Sequence, residues 1–214
     1  MVIKLMRHFF LCISIVGVSG LLVAAEESTA QVVFFDSLSP EIEQLVRNVQ
    51  KELEMEGFNI EIENMPKDSY ACATLCPMGY YVVYIDQAWF ETLTLNAQRF
   101  IIGHELMHIK LMHSWNHNLL SNIFDSFCGY FSRQRERDAD YFSALELKNA
   151  QGGIEALEIM VQIEKEGFAK RKLPFIIRTL FYKTMASHPK PEERLKLVKD
   201  LMGSPEYTNK QAAT

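Results

Sequence analysis

The chain has 214 residues, which is enough for one domain with a hydrophobic core and short for two. Apolar residues make up 48% and charged residues 23% of the sequence, so the composition excludes a disordered chain, a collagen-like repeat and a multi-span membrane protein. The formal net charge is −5, and an acidic chain is a poor candidate for binding nucleic acid.

The first 25 residues have the pattern of a secretory signal peptide. Lys4 and Arg7 form a basic start, residues 9–23 are largely apolar, and two alanines end the segment before Glu26. An uncleaved membrane anchor is the alternative, because the apolar stretch approaches the shortest bilayer span of about 17 residues. Both interpretations predict an extracytoplasmic protein. It would be periplasmic or secreted if the segment is cleaved, and membrane-anchored through residues 9–25, facing the periplasm, if it is not.

The next part of the chain predicts a linker, a helix and then strands. Residues 26–38 are expected to be a linker, and Ser39-Pro40-Glu41 is typical of a helix start, followed by apolar residues at helical spacing up to Leu53. Residues 58–62 alternate between apolar and polar, and residues 80–85 are β-branched and aromatic, so each predicts a strand.

The second half predicts mainly helices. Their expected ranges are 96–112, 132–149, 153–167 and 191–202, and the polar residues 204–214 are expected to be a disordered tail. Residues 119–131 are apolar and aromatic, which favours a core helix or a lid over a membrane-resting patch. We therefore predict an α+β fold, mostly helical with a small sheet before the helix near residue 96, and one catalytic domain over 39–203.

The helix predicted over 96–112 contains an HExxH motif at residues 104–108. His104 and His108 are one turn apart, so both imidazoles project from one face and can reach a single zinc ion. Glu105 lies beside them and can reach a metal-bound water, which predicts a general base and then a general acid. Two surface histidines are the alternative if no third ligand exists.

A third ligand is expected from the charged run at 135–140, because catalytic zinc takes three protein ligands and keeps one position for water. Glu136 and Asp140 are four residues apart and share a helix face. Glu136 can therefore bind the metal while Asp140 accepts the spare N–H of a zinc-bound imidazole, that of His104. Asp138 or Asp140 could serve as the third ligand instead, but their helical phase favours Glu136.

These motifs resemble metallopeptidase family 48, the family of HtpX-like proteases and the CAAX prenyl endopeptidase. The resemblance lies in HELMHIKLMH at 104–113, ERDADYFSA at 136–144 and Ser187-His188-Pro189 with Arg194 behind it. It implies a zincin-like fold of the gluzincin type, one zinc ion per chain on His104, His108 and Glu136, and His188 as a donor to the oxyanion. Only 27 residues separate His108 from Glu136, which favours the soluble, exported branch of that family.

The resulting hypothesis is a zinc endopeptidase that hydrolyses unfolded or misassembled proteins outside the cytoplasm, in protein quality control. Its partner would be a polypeptide substrate, paired along the strand at 80–85 if that strand lies at a sheet edge. An ordinary buried strand is the alternative. A chaperone or adaptor that keeps the zinc fold without much proteolysis is one competing function, against which the intact Glu105 argues. A zinc peptidase of another HExxH family, with a different third ligand, is the other.

Several histidines and cysteines have weaker predictions. His113 falls about 140° around the helix from His108, so it is interpreted as a structural or packing residue rather than a ligand. In an oxidising compartment one pair among Cys72, Cys76 and Cys128 could form a disulfide and leave one thiol over, and Cys72 and Cys76 are the nearest pair. Buried free thiols are the alternative.

Overall fold

The computed structural model describes residues 38–65, 70–76, 78–113, 130–170 and 189–213, all within the unit Asp36–Thr214. The predicted signal segment and nearly all of the predicted linker lie outside these residues. So do residues 119–129 of the apolar segment. The described residues form seven helices and a three-stranded sheet, and this confirms the α+β class.

Helix α1, Pro40–Glu52, forms where the sequence predicts it. Ser39 caps its start by accepting a hydrogen bond from the Ile42 amide at 3.4 Å, and Pro40 occupies the first turn, where a missing N–H costs nothing. Its apolar face buries Ile42, Val46 and Val49 against the core.

The sheet comprises β1 (Ile60–Asn64), β2 (Ala71–Leu75) and β3 (Tyr81–Ile85) in the order β1-β3-β2. β1 runs parallel to β3, with Ile60 opposite Tyr81, and β2 runs antiparallel to β3, with Ala71 opposite Ile85. β3 is thus the central strand, and the hypothesis that residues 80–85 form the substrate edge is wrong. β2 was not predicted, because its small residues show neither alternation nor high β propensity.

A short helix, α2 (Gln87–Phe90), and the long helix α3 (Leu95–Lys110) follow the sheet. Thr94 caps α3 by accepting from the Ala97 amide at 3.2 Å. α3 is buried on most of its circumference, because α1, the sheet and two later helices pack around it. None of the described helices combines the length and apolar character needed to cross a bilayer.

The later helices are α4 (Tyr130–Glu146), α5 (Ala150–Lys170), α6 (Pro191–Met202) and α7 (Pro205–Ala212). α4 and α5 both pack on α3, and α6 packs on α4 and α5. Asn149 links α5 to the start of α3, because its side-chain oxygen accepts from the Gly152 amide at 3.2 Å and its Nδ2 donates to the Asn96 carbonyl at 2.8 Å.

The prediction of a disordered tail at 204–214 is wrong for the described part of that segment. Ser204 caps α7, and Tyr207 is buried with its hydroxyl accepting from the Ala150 amide at 3.0 Å. Lys210 also contacts Glu146 at 2.7 Å. The sequence did not predict this helix, because most of its residues are polar and a single buried tyrosine fixes it against the core.

The close approach of α3 and α4 depends on Gly103. A Cβ at this position would meet Leu147 Cδ1 at 2.4 Å and Ser143 Oγ at 2.5 Å. Ser143 is fully buried and donates to the Phe100 carbonyl at 3.0 Å, so its hydroxyl cannot move without losing that bond. Because Gly103 has no side chain, α4 packs close enough to α3 to place its acidic residues next to His104.

We expect Gly103→Ala to destabilise the protein by about 1–3 kcal/mol, because the added methyl group overpacks the α3–α4 contact. Helix propensity alone would favour alanine by about 0.5–1 kcal/mol. The sign of the measured change in the free energy of unfolding therefore distinguishes overpacking from helix propensity. Denaturant unfolding followed by circular dichroism measures the change. Gly57→Ala is the matched control, since no atom lies within 4 Å of its added Cβ. Equal stability of the two variants would contradict this account of the contact.

Candidate metal centre

His104 and His108 project from the same face of α3 toward one point. Their Nε2 atoms are 3.1 Å apart and their rings are nearly perpendicular. His104 is buried and His108 is partly buried. The spacing of one helical turn produces this convergence, as the sequence predicts.

Glu136 on α4 brings its carboxylate to the same point. One oxygen lies 3.4 Å from His104 Nε2, and the other lies 3.3 Å from His108 Nε2. We call these two Nε2 atoms and the Glu136 carboxylate the donor triangle. Within the described residues, His104, His108 and Glu136 form a group whose donor atoms all lie within 4.8 Å of one another.

The donor triangle fits a metal ion. Tetrahedral zinc with ligand bonds of about 2.0–2.1 Å separates its ligands by about 3.3 Å, close to the distances found here. Two imidazoles and one carboxylate are also a donor set that zinc accepts at catalytic sites, where a fourth position stays open. The three residues that the sequence singles out as ligands are therefore brought together.

Asp140 lies one turn beyond Glu136 on α4 and contacts the other nitrogen of His104. His104 Nδ1 donates to Asp140 Oδ1 at 2.9 Å, which is the contact expected from the sequence. This hydrogen bond places the Nδ1 proton toward Asp140 and leaves Nε2 free to face the donor triangle.

The buried surroundings shift the pKa values of both partners. Burial alone would lower the pKa of His104, but the charge and hydrogen bond of Asp140, with a further contribution from Glu136, raise it to about 10. Burial alone would raise the pKa of Asp140, but Arg194 and His104 outweigh it and hold that pKa below its usual range. The metal-free pair is thus an ion pair, and a metal must displace a proton from His104.

At this centre the sequence did not predict a role for Arg194. It is buried on α6, and it donates from Nε to Asp140 Oδ2 and from Nη2 to Asp140 Oδ1, both at 2.7 Å. One sequence signal pointed to it, because Arg194 occupies the same helical face as the buried Val198 and Leu201. A charged residue on an apolar face requires a buried partner.

His113 contacts the metal centre, although it is not part of the donor triangle. α3 ends at Lys110, and Met112 adopts a left-handed conformation with φ of 57°, which turns the chain back. His113 Nδ1 thereby lies 3.1 Å from His108 Nδ1. His113 is not part of the metal-ligand group, which agrees with its interpretation as a structural or packing residue rather than a ligand, but the assumption that the helix continues to His113 is wrong.

His113 is suited to orient His108. Burial, together with the charge of His108, lowers the pKa of His113 to about 4, so its ring is neutral at pH 7. With a metal on His108 Nε2, His108 Nδ1 would carry the proton and donate to His113. Each imidazole of the centre would then have its own acceptor, a carboxylate for His104 and a neutral ring for His108.

Glu105 is buried on α3 between the two histidines in the chain. Burial lowers the pKa of the Arg194 guanidinium, but Asp140, Glu136 and, to a smaller extent, Glu105 outweigh it and raise that pKa. Burial and, to a smaller extent, the charge of Glu105 raise the pKa of the Cys72 thiol to about 12. Cys72 and Cys76 are free thiols in the structure, so the alternative of a disulfide between them is not realised. His188 and Cys128 lie outside the described residues.

A comparison with known families gives a match over most of the unit Asp36–Thr214. The family model described as the IrrE N-terminal-like domain, peptidase M78, matches residues 55–171. A search of curated proteins finds no match. The matched segment contains α3 and α4, whereas Arg194 lies beyond it. The match supports a zinc metallopeptidase-like family, as predicted, but not family 48 in particular.

Proposed function

Since the chain belongs to the IrrE N-terminal-like domain family of M78 peptidases, we propose that it is a zinc-dependent endopeptidase. The observation that carries the proposal is the donor triangle of His104, His108 and Glu136, with Glu105 next to it in the chain. One zinc ion per chain would be held there, in a zincin-like domain of the gluzincin type. The small sheet before α3 and the glutamate ligand on the following long helix support that fold assignment.

When bound, zinc supplies a Lewis acid that polarises the scissile carbonyl and lowers the pKa of a water molecule toward 7. Glu105 would take a proton from the attacking water molecule and pass it to the leaving amine, so no covalent intermediate with the protein would be needed. Asp140 and His113 keep the two histidines in the tautomer that leaves Nε2 available. His188 is proposed as the donor to the oxyanion, on the basis of its late Ser-His-Pro motif.

An extended polypeptide is the proposed substrate class. Among the described strands, β2 has β3 on one side and no strand on the other, and β2 packs beside α3. An extended segment could pair with the main chain of β2 and pass close to Glu105. Such pairing requires an unfolded or locally open substrate, which agrees with a role in protein quality control outside the cytoplasm.

We expect Glu105→Gln to bind zinc as the wild type does and to lose hydrolysis by about 100- to 10,000-fold, because it removes the proton acceptor and leaves the ligands intact. The measurement is zinc content together with hydrolysis of unfolded casein by the purified protein. Glu56→Gln, at an exposed position outside the centre, is the matched control and should remain active.

The outcomes separate the competing functions. Zinc in both proteins with hydrolysis in the wild type alone supports the peptidase. Zinc in both proteins without hydrolysis of any unfolded substrate would favour a binding or regulatory protein that keeps the zinc fold. A wild-type protein that binds no zinc would contradict the proposal at its centre.

A further inference from the structure

Arg194 carries its positive charge in a buried environment, where an unpaired charge is unfavourable. Its side chain is about one tenth exposed, and Asp140 beside it is fully buried. Burying an arginine is favourable only when its donors are matched by acceptors. The position of Arg194 therefore requires an explanation in terms of what its guanidinium contacts.

The guanidinium contacts Asp140 through two parallel hydrogen bonds of 2.7 Å. This fork matches a carboxylate in both distance and direction, so it restrains rotation of the carboxylate as well as neutralising it. Asp140 Oδ1 accepts from Arg194 Nη2 and, at 2.9 Å, from His104 Nδ1. The oxygen that orients His104 is thus one of the two oxygens that Arg194 holds.

The same guanidinium also approaches two of the residues that form the donor triangle. Arg194 Nη1 lies 3.5 Å from Glu136 Oε2, and Arg194 Nη2 lies 3.4 Å from His104 Nδ1. Its positive charge therefore lies next to the carboxylates of Glu136 and Asp140. Without it, Glu136 and Asp140 would repel each other across one helical turn.

We propose that Arg194 is a positioning residue of the metal centre, which clamps Asp140 so that His104 presents Nε2 to the metal. The helix that carries it, α6, lies beyond the matched family segment at 55–171. The matched segment alone is therefore an incomplete metal centre, and the C-terminal helix completes it. This inference rests on the metal site of the proposed function, but not on hydrolysis.

The test compares Arg194→Met, Arg194→Lys and Glu193→Gln in the full chain. Glu193 is the matched control, because it lies beside Arg194 on α6 and its side chain makes an exposed contact with Arg137 at 3.4 Å. Zinc affinity is measured by competition with a chromophoric chelator, and cobalt substitution reports ligand geometry through its visible absorption spectrum. Melting temperatures of the metal-free proteins are measured alongside.

We expect Arg194→Met to weaken zinc binding about 10- to 100-fold and to change the cobalt spectrum, the range seen when partners of metal ligands are lost. Arg194→Lys should weaken binding less, because lysine keeps the charge but loses the fork. Adding Arg194→Met to Asp140→Asn should cost little more than Asp140→Asn alone, since Arg194 acts through Asp140. Glu193→Gln should bind zinc as the wild type does.

A merely structural Arg194 would lower the melting temperature while the folded protein kept its zinc affinity and cobalt spectrum, and that result would overturn the proposal. Additive losses in the double variant would overturn it too. If Arg194→Met does not fold, Arg194→Lys decides by the same two measurements. A wild type that binds zinc but hydrolyses nothing would contradict the proposed function alone, because the affinity comparison needs no activity.

Discussion

Replacing Glu136 with glutamine is expected to lower zinc affinity by more than about 100-fold and to abolish hydrolysis. Losing a partner of a metal ligand already costs about 10- to 100-fold, and losing one of three ligands must cost more. Glutamine has nearly the shape of glutamate, so the loss would come from the missing charge and not from a cavity. Metal analysis after dialysis and chelator competition measure the effect.

Asp138→Asn is the control for Glu136, because it tests the other acid in the same charged run. Asp138 accepts from Gln134 at 2.7 Å in an exposed contact and is not part of the donor triangle. We expect this variant to keep its zinc. Loss of zinc in Asp138→Asn with retention in Glu136→Gln would show that the third ligand has been assigned to the wrong residue.

Asp140→Ala is expected to destabilise the metal-free protein by about 3–5 kcal/mol at neutral pH, because it leaves Arg194 as an uncompensated buried charge. Asp140 is fully buried, so solvent does not screen its contacts with Arg194 and His104. Urea unfolding followed by circular dichroism measures the loss. Asp200→Ala is the control, since its contact with Lys196 is exposed and such pairs contribute about 0.5 kcal/mol or less.

The stability difference between wild type and Asp140→Ala should depend on pH in a defined direction. The depressed pKa of Asp140 means that its contribution is present above the unfolded value of 3.8 and is lost as the pH falls toward the folded value. The raised pKa of His104 means that its contribution to stability is fully present below the unfolded pKa of 6.5 and is lost as the pH rises through about 10. The difference should therefore be largest between pH 4 and 6.5. A difference that grows as the pH falls below 4 would contradict the ion pair.

Local periodicity was sufficient to predict those parts of the molecule that depend on a single helix or a single strand. The position of α6 at Pro191–Met202 agrees with the prediction, because a proline start and apolar spacing are properties of the segment itself. The convergence of His104 and His108, and the shared face of Glu136 and Asp140, follow from 3.6 residues per turn.

Contacts between distant segments decided the parts of the structure that the sequence did not predict. The small residues of β2 form a strand because they form hydrogen bonds with β3. Helix α7 forms because Tyr207 is buried and its hydroxyl accepts from the Ala150 amide. His113 reaches His108 because a left-handed residue ends α3 early, which periodicity cannot foresee.

The metal centre shows the same division. The sequence by itself determined which side chains share a helix face, and therefore that His104, His108 and Glu136 were candidates for one site. Only the tertiary structure decided that α3 and α4 meet at Gly103 and that Arg194 arrives from a third helix to hold Asp140. The physical reason is that helical spacing is a short-range property of the backbone, whereas a buried charge pair exists only when packing brings its partners together from 54 residues apart.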